Sequence, residues 1–410
     1  MPKAVAIDLG ATSARFALGD ESGFQVVKQI PHTPLEWNGH EVWDIELLLG
    51  FCREALAIAQ KNGATSIGID TWGVDHGFLN SDGELVQPPV CYRDASHSKA
   101  FSQWESERKW LYAQTGIQHQ PFNTLYQLLA RKEESPHLFE PGNQWLLLPD
   151  LLLHLLGADR GYERSIASTT QLTGFDGEWN ADVFARFELP LPPQLVESAR
   201  RAGNVGGVEL VRVAGHDTAC AVEGMEPGDA VFANIGTWAL VGMVRNEPDF
   251  SDWAESHNLT NERTVDGRVR LLTNIPGFFL LERLRSEIVA HVPMATWLSQ
   301  ANLQVKTRID TFDPNLFAPE SMHQALAEHA GSDFPEDDWA GILLLSLADA
   351  IADRARLLQG KSIVMAGGGS RSDVLRNLVQ ESAGIPVKLA EAESTIVGNL
   401  RVQRAIMGAS

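Results

Sequence analysis

The sequence predicts an α/β protein built as two lobes, on three observations. The chain has 410 residues, long for one domain and natural for two. Two distant stretches share one pattern of strand, small polar turn and second strand. They are Val5-Ala6-Ile7-Asp8-Leu9-Gly10-Ala11-Thr12-Ser13 running on to Phe16, and Val231-Phe232-Ala233-Asn234-Ile235-Gly236-Thr237-Trp238-Ala239-Leu240. Between them, Val211-Arg212-Val213-Ala214-Gly215-His216-Asp217-Thr218 is a strand-like run that ends on glycine and presents a lone carboxylate. One such turn per half, with an acid between, suggests lobes at 1–208 and 209–410 closing on a nucleotide.

Composition narrows the class. With 44% hydrophobic and 21% charged residues the chain is an ordinary globular protein. Its formal net charge of −20 opposes binding to nucleic acid or to an anionic membrane. ATP is not excluded, because a cation and a local site reverse the potential. Three widely spaced cysteines fit neither a disulfide framework nor a zinc site and suit the cytoplasm. No apolar run reaches the roughly 18 residues of a membrane helix. The 12 histidines show no pair at metal-ligand spacing.

Residues 3–19 read as a β-hairpin turning at Gly10. Backbone N–H groups of such a turn form an anion nest, Thr12 and Ser13 add donors, and Arg15 can fork onto phosphate oxygens. Asp8 faces the same place, and a carboxylate beside phosphates makes sense chiefly through Mg²⁺. The bland alternative is a plain hairpin with a polar turn. Leu47 to Lys61 is an amphipathic helix closed by Asn62-Gly63. Ser66 to Asp70 is a buried strand leading to Thr71-Trp72-Gly73-Val74-Asp75. There Gly73 admits a ligand to the backbone, Asp75 suits sugar hydroxyls, and Trp72 either stacks on a sugar or packs in the core. Ser81-Asp82-Gly83-Glu84 is a hairpin turn. Asn123-Thr124 reads as the N-cap of a helix through Leu129, and Pro149-Asp150 as a helix start after a strand.

In the second half, Arg270 to Gly277 is a strand and turn that presents Asn274, and a helix begins at Phe278. Residues 286–335 lack a usable pattern. Trp339 to Gln359 is a strong helix stopped by Gly360. Ser362 to Ala366 is a buried strand followed by Gly367-Gly368-Gly369. We read this glycine run as opening a helix whose N-terminus favours anions. Gly360-Lys361-Ser362 is not a P-loop, since Ala355 stands where glycine is needed and the run leads from helix to strand.

Together these motifs resemble those of the FGGY carbohydrate kinases, within the actin/Hsp70/sugar-kinase superfamily, over nearly the whole chain. The resemblance is carried by Asp8 to Arg15, Gly68 to Asp75, Gly116-Ile117-Gln118 with Pro121 to Gln127, His216 to Thr218, Gly236 to Trp238, Asn274 and Ala366 to Gly369. It implies two ribonuclease-H-like lobes with an interlobe cleft, ATP and Mg²⁺ as cofactors, and phosphoryl transfer to the 1-hydroxyl of a ketose. L-rhamnulose is the ketose implied first, with L-fuculose or another deoxy-ketose as the alternative. By the same resemblance Ala11, Thr12, Ser13, Ala14 and Arg15 would hold ATP phosphates, and Gly236 and Thr237 would lie at the γ-phosphate. Gly367 and Gly368 would touch nucleotide, and Asp217 would be the catalytic base. Gly73, His216, Thr218 and Asn274 would bind the ketose. Glu282 stands where relatives carry a nucleotide-contacting glutamine. A nucleotide-gated binding or regulatory protein of the same superfamily is the competing expectation. The acid at 217 and the sugar-side groups Asp75 and Asn274 weigh against it.

Overall fold

In the computed structural model, which describes residues 2–316 and 319–408, the opening strand β1 (Ala4–Leu9) is buried along its length. Its two faces differ, as the side-chain alternation of a strand requires. Val5, Ile7 and Leu9 enter the large core, whereas Ala4 and Ala6 cluster with Ala17, Ile396 and Leu400. β1 forms the expected hairpin with β2 (Ser13–Asp20), pairing Asp8 with Arg15, and β2 is antiparallel to β3 (Gly23–Pro31). A short ribbon of β4 (Leu35–Trp37) and β5 (His40–Val42) precedes the helix Ile45–Lys61. Asp44 caps that helix by accepting from Leu47 N–H. β6 (Ser66–Thr71) lies parallel to β1. β7 (His76–Leu79) pairs with β8 (Gln144–Leu147), and the bridge Leu79–Leu85 closes the turn read at 81–84. β9 (Arg200–Val205) and β10 (Val208–Arg212) complete a six-stranded sheet in the order β3-β2-β1-β6-β10-β9.

The second stretch repeats this plan. β11 (Val231–Ile235) is antiparallel to β12 (Ala239–Arg245). After β13 (Thr260–Arg263) and β14 (Val269–Ile275) come β15 (Ile363–Ala366), parallel to β11, and β16 (Val387–Leu389), parallel to β15. The series β2-β1-β6-β10 thus recurs as β12-β11-β15-β16.

Two compact units result, each interrupted in sequence. One holds Met1–Gly224, Arg245–Leu271 and Ser394–Ser410, and the other Met225–Val244 and Leu272–Glu393. They are not the contiguous halves 1–208 and 209–410, because later segments satisfy their polar groups within the first unit. Asn261 Nδ2 donates to Gly116 O at 2.8 Å, and Asn399 Nδ2 to Asp70 Oδ2 at 2.6 Å.

The terminal helix Ser394–Gly408 shows why the first sheet is sided. Small residues let it lie close: a Cβ on Gly19 would fall 2.5 Å from Leu400 Cδ1, and one on Gly68 2.9 Å from Asn399 Oδ1. Gln403 Nε2 donates to Val5 O at 2.9 Å and Asn399 Oδ1 at 2.7 Å, while Ser66 Oγ donates to Gln403 Oε1 at 2.7 Å. The same helix crosses the helix Asp217–Met225 at two glycines. A Cβ on Gly398 would stand 1.9 Å from Cys220 O, and one on Gly224 2.0 Å from Ser394 O.

Other expectations shift in detail. Residue 123 is the N-cap of the helix Thr124–Glu134, but its side chain makes no cap; Nδ2 instead donates to Gln118 O and Gln171 Oε1, both at 2.9 Å. The glycine run does not open an α-helix. Gly368–Arg371 is a 3₁₀ turn, and Ser372 then caps the helix Asp373–Ala383. The long helix spans Glu336–Leu357. Within the unpatterned 286–335 lie helices Met294–Ser299 and Met322–Ala330, the second capped by Ser321. No described helix is long and apolar enough to cross a membrane.

Gly398→Ala forces a methyl into a backbone carbonyl. It is expected to cost about 1–3 kcal/mol, the usual range for overpacking, measured by urea unfolding. A change below about 0.5 kcal/mol, the range of ordinary surface substitutions, would contradict the tight helix crossing.

Candidate active site

The turn between β1 and β2 is braced from behind. Gly10 N–H donates to Ser13 O at 3.0 Å, His32 N–H to Thr12 O at 3.1 Å, and His32 Nε2 to Gly10 O at 2.7 Å. Ala11, Thr12 and Ser13 retain exposure, whereas Ala14 is buried and offers a ligand only backbone. Arg15 does not extend from the turn. Its Nε and a terminal nitrogen contact Asp8 Oδ2 at 2.8 and 2.5 Å.

The parallel pairing of β1 and β6 sets Asp8 beside Asp70. Burial pushes the Asp70 carboxyl well above its ordinary value, and the charges of Asp8 and Asp217 push the same way, while Asn399 and Arg15 oppose them. Among the described residues Asp70 Oδ1 has no hydrogen-bond partner, although it is buried. Sequence reading passed over Asp70, yet the dipeptide Ile69-Asp70 repeats Ile7-Asp8 at the matching strand position. Asp8, Asp70 and Asp217 therefore concentrate negative charge in the first unit. These oxygen donors suit a hard divalent cation. Among the described residues no group of three acidic, histidine or cysteine side chains converges on one point.

After β6 the chain turns sharply. Val74 has φ of +67°, a strained conformation for a β-branched residue. Its backbone is clamped by Thr169 Oγ1, which accepts from Val74 N–H at 3.1 Å, and by Thr124 Oγ1, which donates to Val74 O at 2.6 Å. The turn throws Asp75 inward. There Trp43 Nε1, Trp72 Nε1 and Gln127 Nε2 donate to its carboxylate at 2.5, 2.8 and 3.0 Å. Burial pushes the Asp75 carboxyl up to about 7 against the pull of these donors. Asp75 is thus a fully enclosed node and not an open hydroxyl contact. Trp72 is 6% exposed and packs 4.2 Å from the Trp43 ring, so core packing is the reading that holds for it. Gly73 remains at the site: a Cβ there would meet Thr169 Oγ1 at 3.3 Å and His216 Nε2 at 3.4 Å.

Buried Glu163 holds the segment after β10. Its carboxylate accepts from Ser165 N–H, Ile166 N–H and Gly215 N–H at 2.8, 3.0 and 2.8 Å. Gly215 has no alternative here, since a Cβ would stand 2.9 Å from Glu163 Oε2. Gly215 O accepts from Thr71 N–H at 2.9 Å, and His216 bridges in parallel to Thr71. Asp217 then opens its helix. Its side chain is 27% exposed, His216 Nε2 lies 3.4 Å away, and Thr218 Oγ1 donates to it at 3.0 Å. Thr218 is buried with its hydroxyl turned to the acid. Behind His216 stand Glu262 and Arg270, neither of which the sequence singled out. Burial alone would push Glu262 up, but the Arg270 guanidinium beside it works the other way, and its carboxyl is held below the ordinary value.

In the second unit, Gly236 N–H donates to Trp238 O at 2.9 Å, and Phe279 N–H to Thr237 O at 2.9 Å. Trp238 stacks on Phe279 with ring centroids 6.2 Å apart. Gly367 adopts φ of +80°, and a Cβ would fall 2.5 Å from Ile235 O. A Cβ on Gly368 would meet no atom of the described residues within 4 Å. Asn274 lies near the end of β14, half-buried. Glu282, on the helix Phe278–Ile288, is 56% exposed and paired with Arg285 at 2.5 Å.

Comparison with known proteins follows the same lines. Residues 3–236 match the N-terminal domain of the FGGY family of carbohydrate kinases, and residues 231–406 match its C-terminal domain. A rhamnulokinase of Bacteroides thetaiotaomicron is 32% identical, the alignment covering 98% of this chain and 90% of that protein. A rhamnulokinase of Yersinia pestis is also 32% identical, with the same coverage. Among solved structures, xylulose kinase from Lactobacillus acidophilus superposes with a TM-score of 0.82 at 15% identity, over 100% of this chain and 90% of that one. Glycerol kinase from Plasmodium falciparum gives 0.78 at 12% identity, again over 100% and 90%. The fold is the mixed α/β fold of these sugar-kinase structures, and the chain belongs to the FGGY family of carbohydrate kinases.

Proposed function

We propose that the chain transfers the γ-phosphoryl group of ATP to the 1-hydroxyl of a deoxy-ketose, L-rhamnulose first. The observation that carries this reading is Asp217: a carboxylate at the start of a helix, open to solvent on one side and held by Thr218 and His216 on the other. The curated rhamnulokinases matched over nearly the whole chain support the choice of sugar.

In this reading Gly73, His216 and Asn274 contact the ketose, and Thr218 orients Asp217. The turn Ala11 to Ser13, the backbone at Ala14, Arg15 released from Asp8, and Thr237 beside Gly236 hold phosphates. Gly367 and Gly368 lie along the nucleotide. Glu282 reaches a ribose hydroxyl only by leaving Arg285. Asp8 would hold Mg²⁺, with Asp70 behind it, and when bound the ion would screen phosphate charge. Asp217 orients the ketose hydroxyl and takes its proton as the bond from oxygen to the γ-phosphorus forms and the bond to ADP breaks. That proton then passes to solvent. Positioning and charge stabilisation do most of the work in such a loose transfer. We infer a cytoplasmic enzyme.

Asp217→Asn is expected to keep ATP and ketose binding by calorimetry while losing about 10²-fold or more in kcat, as removal of a general base does. Turnover near that of the wild type would remove Asp217 from this role. In a coupled ADP-release assay over a panel of ketoses, kcat/KM should be highest for L-rhamnulose. An L-fuculose value about tenfold higher, equivalent to about 1.4 kcal/mol of discrimination, would move the assignment to that sugar. Hydrolysis of ATP indifferent to every ketose would sink the kinase reading.

A further inference from the structure

One ring nitrogen of His216 stands between a guanidinium and a carboxylate. Nδ1 lies 3.1 Å from a terminal nitrogen of Arg270 in a hydrogen bond. A guanidinium only donates, so Nδ1 is the acceptor. Glu262 Oε2 stands near both, 3.2 Å from Nδ1 and 3.0 Å from the Arg270 nitrogen. It meets neither at a hydrogen-bonding angle, and acts as the buried counter-ion of Arg270. The other ring nitrogen, Nε2, stands 3.4 Å from Asp217 Oδ1 and would meet a Cβ on Gly73 at the same distance.

We propose that Arg270 is a positioning residue that fixes the tautomer of His216: by donating to Nδ1 it keeps the ring proton on Nε2 and directs that N–H to the place where Asp217 and Gly73 meet. The inference rests on the sugar-kinase reading for its consequence and deepens it. An N–H donor beside an acceptor carboxylate matches two neighbouring sugar oxygens of opposite character. One is the hydroxyl that gives its proton to Asp217, and the other is an oxygen that accepts from Nε2. A 2-keto oxygen next to a 1-hydroxyl meets that requirement, since a carbonyl can only accept. The opposite tautomer would set two acceptors side by side and turn such a ketone away. Lysine would not serve at 270, because a compact ammonium lacks the planar fork that reaches Nδ1 while facing Glu262.

The test is ¹⁵N NMR of the whole chain labelled at histidine nitrogens, without ATP or sugar, using His216→Gln to identify the His216 signals. The wild-type ring should show a protonated Nε2 and a bare Nδ1. In Arg270→Met the KM for the ketose should rise about tenfold, the equivalent of one lost hydrogen bond, while the KM for ATP stays within about twofold. A wild-type ring protonated on Nδ1 overturns the proposal, and so does a ketose KM in Arg270→Met within about twofold of wild type, too small for a lost hydrogen bond. Should Arg270→Met not fold, Glu262→Gln leaves the Arg270 bond in place and should retain the Nε2 proton. A proton moved to Nδ1 in that variant assigns the tautomer to Glu262 and overturns the role of Arg270. The ring signals need no turnover. An Nε2–H ring in a protein inert toward every ketose would defeat the proposed function and leave the tautomer assignment standing.

Discussion

The contact on which the first unit depends is a crossing of two helices at Gly224 and Gly398, close enough that neither position has room for a methyl group. One of these helices begins with Asp217, and the other lies across the alanine-lined face of β1 and carries Asn399 to Asp70. The position of the acid relative to Asp8 and Asp70 is therefore set by backbone packing against backbone. Side-chain packing tolerates small rearrangement; two peptide planes in contact do not. This suits an acid whose use depends on placement more than on a perturbed proton affinity.

Around that frame, polar groups divide into those fully satisfied and those left available. Asp75 and Glu163 are enclosed by donors, and each holds a stretch of chain, the turn at Val74 and the segment at Gly215. Buried polar groups satisfied in this way define one conformation, because any other leaves a donor unpaired in a region without water. Asp217 and the turn from Ala11 to Ser13 keep exposure instead. Rigidity is concentrated one layer behind the groups that would meet a ligand.

Much of this was legible in the sequence. The paired hairpins, the strand before Trp72, the helix after Pro149 and the carboxylate at 217 follow from strand alternation, turn residues and glycine placement, all of them local signals. What stayed hidden depends on contacts between residues far apart in the chain. Asp75 looked like a hydroxyl contact because nothing local reveals that Trp43 and Gln127 enclose it. Asn123 looked like a helix cap because its demand from Gln171 comes from another segment. Glu262 and Arg270 lie on neighbouring strands whose pairing with His216 has no sequence spacing to betray it. The units differ from a division at 208 for the same reason: β10 joins, and the helix Ser394–Gly408 covers, a sheet that begins at residue 4, and composition does not report which sheet a strand joins.

The placement of that final helix bears on how the protein is made. A ribosome releases β1 and β6 long before it releases Asn399 and Gln403, so the alanine face of the sheet and the carboxylate of Asp70 emerge without their cover. Contacts that span nearly the whole polypeptide form late and are slow to find. Until they form, the nascent N-terminal portion carries an uncovered apolar surface, the kind of species that chaperones retain. The N-terminal fold is thus completed only after the helix Ser394–Gly408 has been made, although most of its residues are made first.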